Sequence, residues 1–179
     1  SDVKSTLKTL TGVLAGKTKY MKEFDKVFLS STYAPEALTL AAASANIDFY
    51  KEHNVIEKLW EKGEYIEDQF GAIIKKHSVQ KNVSLAGYPV RLMVNTHGDD
   101  GIQDPKIATL YQQEMFRNGI LCFSGVLMLS YSHSQEDLDI LVQAFDETCK
   151  VMNRAMNGDV PIDDFIEGVM GEPVFKGLR

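Results

Sequence analysis

The apolar positions of this chain change their period several times, and each change marks an element. From Pro35 to about His53, Leu38, Ala42, Ala45 and Phe49 recur at steps of four, three and four, which is one face of a helix. The run LAAASA makes that face small and predicts close burial of the helix against another element. A second helix is expected after an Asn54 cap and to about Lys76, with Ile56, Leu59, Trp60, Phe70, Ile73 and Ile74 as its apolar set; Gly63 and Gly71 weaken its continuity. Before both, KTKYMKEFDKV (17–27) reads as a short amphipathic helix with Tyr20, Met21 and Phe24 on one side, and VFLSST (27–32) as a short strand.

Beyond residue 80 the pattern shortens. VSLAGYPVRLMVNT (83–96) predicts one or two strands interrupted at Gly87 to Pro89, and HGDDGIQDPK a turn-rich loop. IATLYQQEMFRNGI predicts a third helix closed by Asn118-Gly119, and GILCFSG and VLMLSYS two further short strands. Ser134, three before Asp137, is a capping-box variant that opens a last helix to about Asn157. Helices and strands in this order imply an α+β fold: a small, largely antiparallel sheet with helices packed on one face.

Composition narrows the class. The 179 residues are 44% hydrophobic and 25% charged, the make-up of one ordinary globular domain or two small ones. A formal charge of −6 with scattered basic residues excludes a general nucleic-acid or anionic-membrane binder, which needs a basic face to displace counterions. Cys122 and Cys149 lie in apolar surroundings without a CxxC spacing, which points to a reduced, cytoplasmic setting. No apolar run approaches the roughly 18 to 20 residues of a membrane span, and no signal-peptide pattern opens the chain, so a soluble protein is expected.

Candidate chemistry is sparse, and one stretch stands out. In SSTYAPE (30–36), if Pro35 is the first helical residue the cap is Ala34, and the residue three before Glu36 is Tyr33. Ser30, Ser31 and Thr32 then lie upstream of the cap, free for another partner. Hydroxyls beside a helix N-terminus form a seat for an anion such as phosphate, although the Glu36 carboxylate competes for the same positive end. A plain strand-to-helix junction is the other reading. His97, Asp99, Asp100 and Asp104 are metal-ligand types but lack calcium-loop order or zinc spacing, so they read as a solvated turn and no metal is expected. His133 with Ser130, Ser132 and Ser134 lacks a Gly-x-Ser-x-Gly elbow and reads as a strand-to-helix junction. Cys122 has no adjacent base and reads as a core residue. Lys4, with Lys8 nearby, is a surface lysine that could supply an amine for a Schiff base. Arg91 and Arg117 are carboxylate partners by charge, or simply surface residues. No catalytic residue follows from local chemistry.

Four blocks in order carry a family likeness: LAGKTKYMKEFDKVFLSSTYAPEALTLAAASANIDFYKEHNVIEKLW (14–60), KIATLYQQEMFRNGIL (106–121), LSYSHSQEDLDILVQAFDET (129–148) and the terminal GEPVFKGLR. In these the chain resembles the C-terminal part of class III pyridoxal-phosphate-dependent aminotransferases, in particular the glutamate-1-semialdehyde 2,1-aminomutase-like branch. The resemblance implies that residues 27–179 form the small C-terminal domain and that residues 1–26 are a remnant of the region joining the large cofactor domain. It implies that Thr32, with Ser31 before it, contacts the phosphate of pyridoxal 5'-phosphate, usually across a homodimer interface. The parent's substrate would be a small molecule of amino-acid or amino-sugar type. The family's Schiff-base lysine falls near Val3 when counted back from Met21. KSTLKTLTG lacks the Gly-aromatic-Pro context expected there, so that role is not carried to Lys4 and the catalytic residue stays unknown. Without the large domain, the chain alone is expected to be inactive. The rival expectation is a non-catalytic dimerisation or regulatory module that kept the fold.

Overall fold

The computed structural model describes residues 16–27, 37–122 and 124–171. They divide into two units, one ending at Val55 and one starting at Ile56.

In the first unit, helix α1 (Thr18–Met21) passes directly into a 3-10 turn, Lys22–Lys26, so the short helix expected at 17–27 is present. Met21 and Phe24 are half-buried, whereas Tyr20 is exposed. The strand expected over 27–32 lies, from residue 28 on, outside the described residues. Helix α2 (Ala37–His53) follows the predicted period, but none of its residues is buried. Its expected buried face is therefore corrected. Ala42 and Phe49 are half-buried, Ala45 is exposed, and Leu40 and Ile47 are 55% and 54% exposed. A helical period reports that a face is apolar and says nothing about whether its cover belongs to the same unit. Asn54 is also not the expected N-cap: its φ of 48° is the left-handed backbone of a helix stop, whereas an N-cap is extended.

The second unit is built around helix α3 (Val55–Lys76), which runs unbroken through Gly63 and Gly71. Ile66, Phe70, Ile73 and Ile74 form its buried stripe. Ile56 and Trp60, expected in the same stripe, are exposed, and Trp60 instead meets the Tyr88 ring edge-on with centroids 6.2 Å apart. Gly63 allows α3 and the hairpin turn to approach closely: a Cβ there would fall 2.6 Å from the Pro89 carbonyl oxygen and 2.8 Å from the Val90 nitrogen.

Strands β1 (Val83–Tyr88) and β2 (Arg91–Thr96) form an antiparallel hairpin about the two-residue turn Pro89-Val90, with Ala86 opposite Met93 and Tyr88 opposite Arg91. Alternation sorts their faces. Val83, Leu92 and Val94 point into the core, while Ala86, Tyr88, Arg91 and Asn95 are exposed. The expected strands in GILCFSG and VLMLSYS reduce to a single bridge between Met93 and Val126, framed by Val94 N–H to the Gly125 carbonyl (2.9 Å) and Leu127 N–H to the Leu92 carbonyl (2.8 Å). Ser124 (φ 48°) and Gly125 (φ 75°) turn the chain sharply beside β2, which breaks any ladder.

Helix α4 (Pro105–Arg117) is opened by Asp104, whose Oδ1 accepts from Lys106 N–H (2.7 Å) and Ile107 N–H (3.2 Å), with Pro105 at the first turn. Helix α5 (Gln135–Asn157) carries the predicted Ser134–Asp137 capping box. A 3-10 turn, Ile162–Phe165, is tied to α4 through Lys106–Asp163 (2.7 Å) and Gln113 Nε2–Phe165 O (2.9 Å). Phe70 of α3 stacks on Phe145 of α5 at 3.7 Å, and the Tyr111 ring of α4 meets Phe145 edge-on. These rings, with Leu92 and Val94 of the sheet, form one core, each buried side chain stabilising by about 1.5–3 kcal/mol. The fold is α+β, a small antiparallel sheet with helices on one face, as the sequence implies.

Candidate functional site

The two residues that the sequence singles out, Ser31 and Thr32, lie outside the described residues. What is described is the helix that follows them. The first turn of α2, from Ala37, carries no acidic side chain. Glu36, whose carboxylate competes with an anion for that end, immediately precedes this turn in the sequence and lies outside the described residues.

Lys4 and Lys8 also lie outside the described residues; the other candidates fall within the second unit, and most of their polar groups are committed to the fold. In the loop before α4, Asp99 pairs with Lys81 (2.8 Å), Asp100 accepts from Ile102 N–H (2.9 Å) and Asp104 caps the helix. Three acids thus have three separate partners. The Lys81 bond holds the Asp99 carboxyl below its usual value. Among the described residues, no group of three or more His, Cys, Asp or Glu side chains is placed to hold a metal ion.

At the entry to α5, His133 Nδ1 accepts from Ser130 N–H (3.2 Å), Ser130 and Ser132 share a hydroxyl contact (2.9 Å), and Ser134 serves the capping box. The Nδ1 nitrogen beside these serines is thus occupied by a backbone N–H and is not a free base toward them. Backbone N–H and hydroxyl bonds from Ser134 hold the Asp137 carboxyl below its usual range. The turn is clamped from α3 by Lys62, whose ammonium donates to the carbonyls of Tyr131 (2.8 Å) and His133 (2.5 Å). Lys58 reaches the Tyr131 hydroxyl (3.3 Å), and both lysines lie over its ring. Nothing in the sequence marks Lys62 for this role, because its partners are some seventy residues away.

Cys122 and Cys149 are both buried. Burial pushes the Cys122 thiol up and the Cys149 thiol up to about 12, so neither is a ready nucleophile. Burial, together with the nearby thiols, also drives the Tyr111 phenol well above its ordinary value. An open groove of about 600 Å³ runs between α3 and α5, lined by Tyr65, Gln69, Ile73, Lys76, Asp139 and Asp146. Its charges are spent on one another: Tyr65 donates to Asp139 (2.8 Å), and Lys76 and His77 both bond Asp146 at 2.8 Å.

The two arginines that look equivalent in the sequence are not equivalent in space. Arg117 is fixed by Glu114 (2.6 Å) and Glu167 (2.5 Å). Arg91 stands exposed on the outward face of the hairpin, opposite Tyr88, with no ion pair among the described residues.

No protein-family model matches the chain. Among curated proteins it is similar to the 3-aminobutyryl-CoA aminotransferase of Cloacimonas acidaminovorans (strain Evry), 28% identical over 141 residues, which covers 75% of this chain and 33% of that protein. It is also similar to the 8-amino-7-oxononanoate synthase of Petrotoga mobilis, 25% identical, covering 78% of this chain and 36% of that one. Among solved structures it is similar to the FumI protein of Sphingopyxis sp. MTA144 in a PLP form (TM-score 0.68, 17% identity, 84% of this chain and 36% of that one). An omega-transaminase from Sphaerobacter thermophilus superposes with a TM-score of 0.66 at 13% identity, over 78% of this chain and 34% of that one. The chain therefore has a PLP-aminotransferase-like fold and spans about one third of the length of the curated relatives it matches. Among the described residues no helix is long and apolar enough to cross a membrane.

Proposed function

We propose that this chain acts as the small C-terminal domain of a pyridoxal-phosphate-dependent aminotransferase or aminomutase of the glutamate-1-semialdehyde aminomutase-like branch of class III. The supporting observation is that the sequence likeness to an aminotransferase and the fold likeness to an omega-transaminase both run over about three quarters of this chain and about one third of those proteins. On this reading residues 27–179 are the small domain, residues 1–26 a remnant of the segment leading from the large domain, and the working form a cytoplasmic homodimer. The substrate is a small molecule of amino-acid or amino-sugar type.

Thr32 and Ser31 bind the cofactor phosphate through hydroxyl and backbone N–H groups, and the N-terminal end of α2 that follows favours an anion, with Glu36 the one nearby carboxylate in the sequence set against it. Pyridoxal phosphate supplies the electron sink for amino-group transfer. The part of this chain is positional: it fixes the phosphate so that the reacting end stays aligned.

The test is Thr32→Ala in the intact enzyme, read as cofactor retained after dialysis. One lost hydrogen bond to a charged phosphate, about 1.5–3 kcal/mol, is expected to weaken retention roughly 10- to 100-fold. Unchanged retention would sink the phosphate assignment. The reading frame upstream of Ser1 checks the wider reading, which expects a large domain with a Schiff-base lysine in family context. A frame encoding none would favour the non-catalytic module, and so would the absence of a borohydride-sensitive absorbance band when pyridoxal phosphate is added to the intact protein.

A further inference from the structure

The outer face of α4 carries a stripe of polar side chains, Lys106, Thr109, Gln113 and Arg117, whose spacing of three, four and four residues sets them on one side of the helix. All four are engaged by the stretch that follows α5. The Lys106 ammonium bonds Asp163 (2.7 Å), Arg117 bonds Glu167 (2.5 Å), and Thr109 Oγ1 accepts from Gly171 N–H (3.0 Å). Gln113 reads the main chain between those charges: its Nε2 donates to the Phe165 carbonyl (2.9 Å) and its Oε1 accepts from Glu167 N–H (2.7 Å). The Arg154 guanidinium of α5 lies over the Phe165 ring, 5.9 Å from its centroid. Cations at both ends, an amide that pairs with backbone and a half-buried aromatic anchor are the parts of a peptide-recognition surface. The stretch itself is lightly held. None of residues 161–171 is buried; Ile162, Phe165 and Ile166 rest half-buried against the core, and the connecting residues 158–161 are all exposed. Exposed ion pairs hold little by themselves, and a stretch without a fully buried side chain opens at small cost. What keeps it seated is its tether, which gives a linked segment an effective concentration of millimolar order.

We infer that this stripe of α4 is a docking site for an acidic segment of the pattern Asp-x-Phe-x-Glu on another protein, and that residues 162–171 are an autoinhibitory strap filling it in cis. The strap itself names the chemistry of the partner. Asp163 answers Lys106, Phe165 answers Arg154 and Gln113, and Glu167 answers Arg117, so an unrelated segment with the same three residues meets the same four partners. Opening strands no buried charge, because the Glu114 carboxylate, 5% exposed, keeps its own bond to Arg117 (2.6 Å). The strap therefore leaves as one unit while the core beneath it stays folded, and a competing segment has to overcome only the advantage of the tether.

The test uses the full chain, read by amide exchange and chemical shifts in nuclear magnetic resonance. Asp163→Lys sets an ammonium against Lys106 and leaves the Gln113 and Thr109 bonds in place. Exchange at the Glu167 and Gly171 amides is expected to quicken together, roughly 3- to 10-fold, with the amide of core Phe145 unchanged. Adding Lys106→Glu, which restores the pair with its charges exchanged, is expected to slow both again. If Glu167 and Gly171 do not respond together, or if Phe145 quickens with them, there is no separable strap and the inference fails. Docking is read in Asp163→Lys with Glu167→Lys, whose strap is repelled at both ends. The synthetic peptide PIDDFIEGVMG, the sequence of residues 161–171, is expected to bind this variant saturably and shift the Gln113 side-chain amide. It is expected to bind the wild-type chain, whose strap is closed, roughly 10-fold more weakly or worse. Asp163→Ala with Glu167→Ala in the peptide should weaken it by roughly 10-fold as well. No saturable binding to the opened variant, equal binding to both chains, or binding indifferent to the two acids overturns the docking site. Wild-type strap amides that gain protection as protein concentration rises would make a second copy the occupant, and overturn it too.

Discussion

Gly63→Ala sets two effects of opposite sign against each other. Alanine in a helix interior gains about 0.8–1.0 kcal/mol over glycine, so on propensity alone the substitution stabilises α3. The added Cβ, however, meets the hairpin turn: 2.6 Å from the Pro89 carbonyl oxygen, 2.8 Å from the Val90 nitrogen, and closer still to the Pro89 carbonyl carbon. All three are backbone atoms, and ordinary contact begins near 3.4 Å, so no side-chain rotation relieves the clash. The turn has to retreat, and overpacking of this kind costs about 1–3 kcal/mol or more. The clash wins, leaving a net destabilisation of about 1–2 kcal/mol. Gly71 is the internal control, because it lies in the same helix and its Cβ would meet nothing within 4 Å. Gly71→Ala is expected to stabilise by about 0.5–1 kcal/mol. Urea unfolding followed by far-UV circular dichroism reads both, with midpoints moving in opposite directions, by roughly 1 M downward for Gly63→Ala. Trp60, the sole tryptophan, sits against Tyr88 beside the turn, so its fluorescence changes in native Gly63→Ala and not in Gly71→Ala. Equal upward shifts for the two variants would refute the packing of the hairpin on α3.

Lys62→Met keeps the apolar stem and removes both bonds to the Tyr131 and His133 carbonyls; a loss of about 1–3 kcal/mol in the same urea assay is expected, and an unchanged midpoint would show that water replaces the ammonium at no cost. Asp137 and Asp146 both have lowered folded-state pKa values, Asp137 through the Ser134 bonds and Asp146 because its Lys76 and His77 bonds outweigh the upward pull of burial. A depressed carboxyl stabilises above its unfolded value of about 3.9 and loses that contribution as pH falls through the lower folded value, so the melting midpoint should drop below about pH 4. Asp146→Asn should flatten that acid limb, and a variant that keeps the wild-type slope would exclude Asp146 as a source.

What could be read from sequence was local. Helices α4 and α5 announce themselves because their start signals, Asp104-Pro105 and Ser134 with Asp137, act within three residues and carry their geometry with them. What could not be read depends on a distant neighbour. Gly63 looks like a weak point in a helix until Pro89 is seen against it, and the strand-like run after Gly119 fails as a ladder because Gly125 turns against the Val94 carbonyl. Arg91 and Arg117 are the same residue type in similar company, yet Glu167 and Glu114 consume one and leave the other facing outward. The α2 face and the outward hairpin face share a further property: each is apolar by pattern and carries exposed apolar side chains, Leu38 on one and Tyr88 on the other. A pattern of that kind shows that a face is apolar and does not say what, if anything, covers it. For the same reason Thr32 and Ser31 are recognisable by chemistry as an anion seat, while the identity of the anion comes only from the resemblance. A seat needs few residues to be legible, whereas its occupant is specified by everything around it.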